Sequence, residues 1–384
     1  MLLQRSLARL AASRAASSTA ASTPGAPLTK IVATIGPASE QAEPLADCVA
    51  AGLAVMRLNF SHATPDEFFL RVENLAKAPG GDRVATLLDT RGPEVRLGGL
   101  QICKDTGDRK AKVLLQAGAT LTLTNDAAAD GAGGADKMYV NYASLPEKVK
   151  PGDQILLDDG LVTLDVVASD GTAEVTTTIA NTNEIGERKG VNLPGVSLDL
   201  PALSEKDEAD VAFGIEHGID IVAASFVRDG EGVDAIRAFV DGEVAKHPGV
   251  YPDGDVVQIM SKVESLDALK NIDDIIERSD GVMVARGDLG VEVPLAQIAT
   301  WQKTIVAKCR DAGKRGAARR TAFETLRAPR RRVASVRRRG DSLLSRAAEM
   351  RCFRAPRRDA LLSRAAAEMP FFRAPPQRCV AFAR

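Results

Sequence analysis

Residues 256–290 read VVQIMSKVESLDALKNIDDIIERSDGVMVARGDLG, and this stretch carries the clearest fold pattern in the sequence. Two short apolar runs, 256–263 and 281–284, flank a segment at 266–278 in which apolar residues recur at helical spacing. Apolar runs that alternate with amphipathic helices are typical of β/α units with parallel strands. The stretch therefore predicts a strand–helix–strand unit whose two strands both end in charged residues.

The same alternation extends to both sides of this stretch. The other predicted strands are 29–35, 55–61, 84–89 and 219–227, and the other predicted helices are 41–51, the segment opened by the cap Thr64-Pro65-Asp66-Glu67, 232–244 and 295–312. Between them, residues 93–198 hold short alternating segments separated by Gly and Asp, which predicts a small all-β insert. The sequence thus predicts an α/β fold: a (β/α)8 barrel with parts at 28–92 and 199–314, interrupted after its third strand. Only six barrel strands are recognisable, so the barrel is expected to be incomplete.

The last seventy residues have a different composition. Nineteen of the 50 basic residues but only five of the 51 acidic residues lie from Arg315 onward, and none of those basic residues is Lys. Residues 341–356 are nearly repeated at 359–375, but two copies are too few for a solenoid. We expect residues 315–384 to be an Arg-rich tail from a non-native reading frame or a mis-joined exon. The alternative is a nucleic-acid-binding tail; because aromatic residues are sparse there, no specific nucleic acid partner is expected.

Residues 1–27 contain Arg5, Arg9 and Arg14, many Ala and Ser, and no acidic residue. This composition is typical of a transit peptide, so import into a mitochondrion or another organelle is expected. The alternative is a disordered tail on a cytoplasmic protein. No run of eighteen apolar residues occurs, so no membrane span is expected. The five scattered cysteines form no CxxC or Cys/His cluster, which argues against a zinc site or a disulfide framework.

Polar residues at the ends of the predicted strands are the candidate site. Arg57, Asn59 and Ser61 alternate along the second strand and so share one face. An inward-facing Arg is costly unless an anion meets it, and phosphate is the natural partner. The third strand ends at Asp89 and Thr90.

Two later strands end in carboxylates on the same rim. Lys262 and Glu264 share a face of one strand, and Gly287 and Asp288 follow the next. Two carboxylates with water and substrate oxygens suit Mg²⁺. Lys262 could neutralise charge on a transferring phosphoryl group, and Gly287 lets the backbone approach an anion closely.

Seven blocks carry a resemblance to the pyruvate kinase family over about residues 28–314. They are TKIVATIGPAS (29–39), MRLNFSH (56–62), LDTRGPEVR (88–96), LSEKD (203–207), ASFVR (224–228), SKVE (261–264) and VARGDLGVEVP (284–294). The insert resembles the lid domain of that family. The departure follows Lys314, where the family would continue into a seventh strand and a Thr-Gln-Met-Leu motif, and a C-terminal regulatory domain is also missing.

The resemblance implies a role for each site residue. Mg²⁺ (or Mn²⁺) would be held by Glu264 and Asp288, and K⁺ by Asn59, Ser61, Asp89 and the Thr90 carbonyl. Arg57 would contact phosphate, and Lys262 would face the transferring phosphoryl group, with Gly287 and Asp288 at the substrate. The nucleotide side would comprise His62, Arg96 and Lys206. Glu94 is the acidic form of a position that accompanies K⁺ dependence in this family.

The resemblance implies phosphoryl transfer from phosphoenolpyruvate to ADP, which yields pyruvate and ATP in glycolysis. Members of the family are typically homo-oligomeric. Because the last barrel strands are missing from the pattern, impaired folding and activity of this chain are expected. The alternative is a non-catalytic fragment or binding protein that retains the metal and phosphate residues.

Overall fold

The computed structural model describes residues 29–252, 256–319 and 324–327. The strands are β1 (Thr29–Thr34), β2 (Leu53–Asn59), β3 (Ala85–Asp89), β4 (Lys112–Leu115), β5 (Thr120–Thr124), β6 (Lys137–Tyr139), β7 (Gln154–Leu157), β8 (Val162–Ser169), β9 (Glu174–Ile179), β10 (Asn183–Gly186), β11 (Val191–Asn192), β12 (Ile221–Ala224), β13 (Gln258–Val263), β14 (Gly281–Ala285), β15 (Arg315–Arg319) and β16 (Glu324–Arg327). The helices are α1 (Ala42–Ala50), α2 (Pro65–Lys77), α3 (Gln101–Thr106), α4 (Leu145–Lys148), α5 (Glu205–Glu216), α6 (Gly230–Val244), α7 (Leu266–Lys270), α8 (Ile272–Arg278), α9 (Arg286–Glu292) and α10 (Leu295–Asp311). Within this described part, no helix is long and apolar enough to cross a membrane.

Eight strands close into a barrel in the order β1, β2, β3, β12, β13, β14, β15, β16. Neighbours from β1 through β15 pair in parallel. Helices cover the outside, and apolar residues of strands and helices form a shared core there. Inside the barrel a smaller cluster takes side chains from seven strands, including Val32, Leu87, Met260 and Met283. The barrel predicted from the β/α alternation is confirmed.

Residues 315–319 correct the expectation that no strand follows Lys314. β15 pairs with β14 from Arg315 opposite Gly281 to Arg319 opposite Ala285. Ala317 is fully buried and joins the interior cluster. Gly and Ala have weak strand propensity, which is why no strand was predicted here, but their small side chains fit a crowded barrel interior.

The barrel nevertheless differs from a complete (β/α)8 barrel in β16, a second strand after Lys314 that the sequence did not predict. β16 pairs antiparallel with both β15 and β1, whereas the complete fold has eight parallel strands. The predicted tail beyond residue 327 and the N-terminal segment 1–27 lie outside the described residues.

The insert between β3 and β12 forms two sheets with a core of their own. One sheet pairs β4 with β10, and the other has the order β11, β7, β8, β9, β5, β6. Residues such as Leu121, Ile155, Leu164 and Val175 alternate inward along their strands and are fully buried. The predicted all-β insertion after the third barrel strand is therefore confirmed.

Helix α2 begins as its sequence predicts. The Thr64 hydroxyl accepts a hydrogen bond from the Glu67 amide at 3.3 Å, and the Glu67 carboxylate accepts one from the Thr64 amide at 2.8 Å. This reciprocal capping box satisfies two backbone donors that the first turn leaves without helical partners. It fixes the chain direction just after β2, where the candidate site begins.

Candidate active site

The carboxylate of Asp89 is the centre of a buried row of charges at the ends of the barrel strands. Its Oδ2 accepts from Arg57 Nε at 2.6 Å, and its Oδ1 lies 3.0 Å from Lys262 Nζ. All three residues are at most 4 % exposed. Burial alone would raise the pKa of Asp89, but the charges of Lys262 and Arg57 outweigh it and hold that pKa below its usual value.

Lys262 is fully engaged by its neighbours. Its ammonium lies 3.0 Å from Asp89 Oδ1, 3.0 Å from Glu264 Oε1 and 2.7 Å from Ser225 Oγ. The contacts with Asp89 and Ser225 are hydrogen bonds, and the contact with Glu264 is an ion pair. Burial opposes the charged form, but the two carboxylates more than offset it and raise the pKa of Lys262. The shared face of Lys262 and Glu264 that period-two geometry predicted is present.

Glu264 and Asp288 line one cavity of about 100 Å³, together with Glu94 and Asp159. Burial, with the Asp288 charge acting in the same direction, raises the pKa of Glu264 to about 7 in spite of Lys262. The proximity of a second carboxylate is costly for ionised groups and favourable for a divalent cation between them. The oxygen donors of Glu264 and Asp288 therefore fit Mg²⁺. The part of the chain that the structure describes contains no cluster of three or more carboxylate, His or Cys ligands.

The residues expected to hold K⁺ come from two neighbouring strands. Asn59 stands opposite Asp89 in the β2–β3 register, and its Oδ1 accepts from the Ser61 amide at 3.2 Å. The Thr90 carbonyl accepts from Ser225 Oγ at 2.6 Å. These groups offer oxygen ligands from adjacent strand ends, which is the donor chemistry that a hard monovalent cation requires.

The three residues expected on the nucleotide side lie in different elements. His62 follows β2, and its amide donates to the Asn59 carbonyl at 3.3 Å. Lys206, in the first turn of α5, donates to the Phe60 carbonyl at 3.2 Å and so reaches the same strand end. Arg96 instead binds Glu94 at 2.7 Å and the Arg188 carbonyl at 2.8 Å in the insert.

Gly287 lies in the first turn of α9, next to Asp288. A Cβ added at Gly287 would meet no atom within 4 Å, so open space lies beside it. This space is compatible with the close approach of an anion to the backbone.

Sequence reasoning missed the turn that follows β12. We call Ser225 and Phe226 the β12 turn. Phe226 has φ +55°, a left-handed conformation that costs a bulky residue about 1–3 kcal/mol, and its amide donates to Glu264 Oε2 at 2.6 Å. A Cβ on Gly92 (φ +82°) would lie 2.7 Å from both side chains of the turn. The available signal was the polar Ser225 inside the apolar run 219–227, because β12 ends at Ala224 and is shorter than that run.

These features define a class of protein: an α/β barrel, interrupted after its third strand by a β domain, with buried cations and carboxylates at the strand ends. A profile of the pyruvate kinase barrel domain matches residues 26–336. The chain therefore belongs to the pyruvate kinase family.

Comparisons with individual relatives support this family assignment. The chain is 40% identical over 287 residues to a pyruvate kinase of Leishmania mexicana, covering 74% of this chain and 54% of the relative. It is 42% identical over 295 residues to human pyruvate kinase PKLR, covering 74% of this chain and 48% of the relative. A crystal structure of a pyruvate kinase from Cryptosporidium parvum superposes with a TM-score of 0.69 at 34% identity, covering 76% of this chain and 57% of that one. The chain thus spans about half the length of the curated relatives it matches.

Proposed function

We propose that this chain carries the site for phosphoryl transfer from phosphoenolpyruvate to ADP, with pyruvate and ATP as products. The observation that supports this most strongly is the buried row Arg57–Asp89–Lys262–Glu264 in a chain of the pyruvate kinase family. The P–O bond of phosphoenolpyruvate breaks as an ADP oxygen bonds to phosphorus. The enolate that leaves then takes up a proton, for which no donor is assigned.

Arg57 and Lys262 are the cations beside the moving phosphoryl group. Both are paired with carboxylates, so each must exchange a carboxylate partner for a phosphoryl oxygen. Glu264 and Asp288 would hold Mg²⁺ (or Mn²⁺), which when bound supplies charge neutralisation at the phosphoryl oxygens. Gly287 and Asp288 would lie at the substrate.

The remaining residues keep the roles that the family implies. Asn59, Ser61, Asp89 and the Thr90 carbonyl would hold K⁺. His62, Arg96 and Lys206 would lie toward the nucleotide, and Arg96 would have to leave Glu94 to reach it. A homo-oligomer is proposed from the family alone.

The test is an assay of the full chain for ATP formation from phosphoenolpyruvate and ADP with Mg²⁺ and K⁺. Because the barrel departs from eight parallel strands, we expect turnover below a typical enzyme's ~10 s⁻¹. It should fall about 10²–10³-fold in Lys262→Met, which removes a cation from the transition state. It should also require K⁺.

The matched control is Lys137→Met, because Lys137 makes an exposed ion pair with Glu174 at 2.6 Å in the insert. Lys137→Met should leave turnover unchanged. Turnover of Lys262→Met within a factor of two of the parent chain would contradict the assigned role.

A non-catalytic binding protein is the second candidate, and one observation favours it. The Lys262 ammonium already contacts two carboxylates and a hydroxyl of neighbouring residues. Calorimetry of phosphoenolpyruvate binding, carried out in parallel with the assay of ATP formation, distinguishes the two candidate functions. Binding without any ATP formation would identify a binding protein.

A further inference from the structure

The hydroxyl of Ser225 joins two parts of the site that otherwise have separate assignments. Ser225 is 2 % exposed and directly follows β12. Its Oγ accepts from Lys262 Nζ at 2.7 Å and donates to the Thr90 carbonyl at 2.6 Å. One hydroxyl therefore links the ammonium proposed to face the phosphoryl group with a carbonyl proposed to hold K⁺.

The hydroxyl has one proton and two acceptors within reach. The Thr90 carbonyl is at 2.6 Å, and Asp89 Oδ1 is at 3.3 Å. The shorter contact holds the proton in the described state, because hydroxyl hydrogen bonds have their optimum near 2.7–2.8 Å. The longer contact marks the acceptor to which the proton can rotate.

The surrounding backbone keeps these distances fixed. The Ser225 amide donates to Thr90 Oγ1 at 3.1 Å, and the Thr90 amide donates to the Ala223 carbonyl at 3.0 Å. The Ser225 side chain also packs against the Gly92 loop. The hydroxyl can therefore change its acceptor by rotation without a movement of the turn.

We propose that Ser225 is a positioning residue that couples K⁺ binding at the Thr90 carbonyl to the freedom of Lys262 to meet an anion. This inference rests on the K⁺ and Lys262 assignments of the proposed function. A cation on the Thr90 carbonyl repels the Ser225 proton, which rotates toward Asp89 Oδ1. That carboxylate oxygen is the one that binds Lys262, so its hold on the ammonium weakens.

The consequence is a thermodynamic linkage. K⁺ should strengthen the binding of an anion beside Lys262, and the anion should strengthen K⁺ binding by the same factor. Coupling of this kind typically amounts to about fivefold or more in affinity. Without the hydroxyl, both ligands should still bind, but with only the weaker coupling that Asp89 can transmit as a proposed K⁺ ligand in contact with Lys262.

The experiment uses the full chain and inorganic phosphate as the probe anion, with Mg²⁺ constant. Calorimetry measures phosphate affinity in KCl and in tetramethylammonium chloride of equal ionic strength, because tetramethylammonium is too large for a site of four oxygens. The variants are Ser225→Ala and the control Ser279→Ala. Ser279 is equally buried, and its hydroxyl also donates to a backbone carbonyl, that of Ile275 at 2.6 Å.

The expected result is a K⁺ effect of about fivefold or more in the parent chain and in Ser279→Ala, and less than about twofold in Ser225→Ala. An unchanged K⁺ effect in Ser225→Ala would overturn the proposal. An equal loss of phosphate affinity in both salts would also overturn it, because that result would indicate a merely structural role. A parent chain that shows no K⁺ effect on phosphate affinity would overturn it as well. If Ser225→Ala lacks a cooperative unfolding transition, Ser225→Cys replaces it under the same criteria, because a thiol is a weak donor.

The readout does not depend on turnover, so the two proposals can fail separately. K⁺-linked phosphate binding in a chain that forms no ATP would overturn the proposed function and leave the coupling intact. Turnover that requires K⁺ would support the proposed function. If Ser225→Ala then retained the K⁺ effect on phosphate affinity, the coupling proposal alone would be overturned.

Discussion

The substitution Asp89→Asn tests the buried charge row without any assumption about activity. Asn has nearly the same shape as Asp, so the change removes charge and little else. Asp89 is the shared partner of Arg57 at 2.6 Å and Lys262 at 3.0 Å. After the change, Glu264 still pairs with Lys262, and Arg57 loses the carboxylate that it contacts at 2.6 Å.

Removal of one partner from a buried ion pair typically costs about 3–5 kcal/mol, because the other charge stays desolvated. Asn keeps one oxygen that can accept from either cation, so we expect the lower end, about 3 kcal/mol. For a chain of this size, 1 kcal/mol corresponds to about 2 °C in Tm. Asp89→Asn should therefore lower Tm by about 6 °C.

The assay is urea unfolding of the full chain, followed by circular dichroism and supported by a thermal scan. The control is Asp165→Asn, because Asp165 is exposed and the one described hydrogen bond of its carboxylate is with Gln154 at 2.9 Å. That control should change the free energy of unfolding by no more than about 0.5 kcal/mol. If Asp89→Asn matched the control, the cations would not be paired through Asp89, and the geometry of the site would be wrong.

Three further predictions follow from the same geometry and from the N-terminal composition. Gly92→Ala should destabilise the chain by about 1–3 kcal/mol more than Gly118→Ala in chemical denaturation; both glycines have φ near +82°, but only at Gly92 would a Cβ collide with the β12 turn. Similar values for the two variants would count against that packing. Burial raises the pKa of Cys309 to about 11, so iodoacetamide at pH 8 should label it far more slowly than the half-buried Cys48 until the chain is unfolded. Peptide mapping by mass spectrometry checks this, and fast native labelling of Cys309 would mean that β15 is not docked against its helix. Residues 1–27 fused to a fluorescent protein should direct it to mitochondria, and a diffuse cytosolic signal would refute import.

Strand-end chemistry could be predicted from sequence because strand periodicity fixes which residues share a face. Lys262 and Glu264 stand two residues apart, and their contact at 3.0 Å follows from that spacing. The same reasoning placed Arg57 and Asn59 on one face. It could also predict that these strand ends meet, because parallel strands of a barrel end on one rim.

Pairing between specific side chains could not be predicted in this way. The sequence indicated Arg57 and Asp89 as separate polar residues, 32 positions apart, and gave no sign that one carboxylate binds both Arg57 and Lys262. Such pairing depends on strand order and register, which periodicity leaves open. Phe226 is a second case, because nothing in its residue type indicates a left-handed conformation.

β15 is a strand that the sequence pattern did not predict, because its conformation depends on tertiary contacts. Its residues RGAAR have no alternation between apolar and polar side chains. They form a strand because β14 offers an edge to pair with, and the small Ala317 side chain packs among the larger residues of the barrel interior. Helix α10 supports this strand from outside, where a Cβ on Gly316 would lie 3.4 Å from Cys309 Cβ.

The charge row and the last strands of the barrel are separable in this architecture. Arg57, Asp89, Ser225, Lys262 and Glu264 belong to β2, β3, β12 and β13 or directly follow these strands, which are consecutive neighbours in the barrel. The ion pairs of this row therefore require only this half of the barrel, and Arg57 makes one further hydrogen bond, to Thr34 Oγ1 of the adjacent β1 at 2.6 Å. β15 and β16 lie on the other side and contribute closure, which excludes water from the interior. Loss of closure should therefore weaken the electrostatic stabilisation that Lys262 can provide, because the local dielectric rises, before it disrupts the pairing itself.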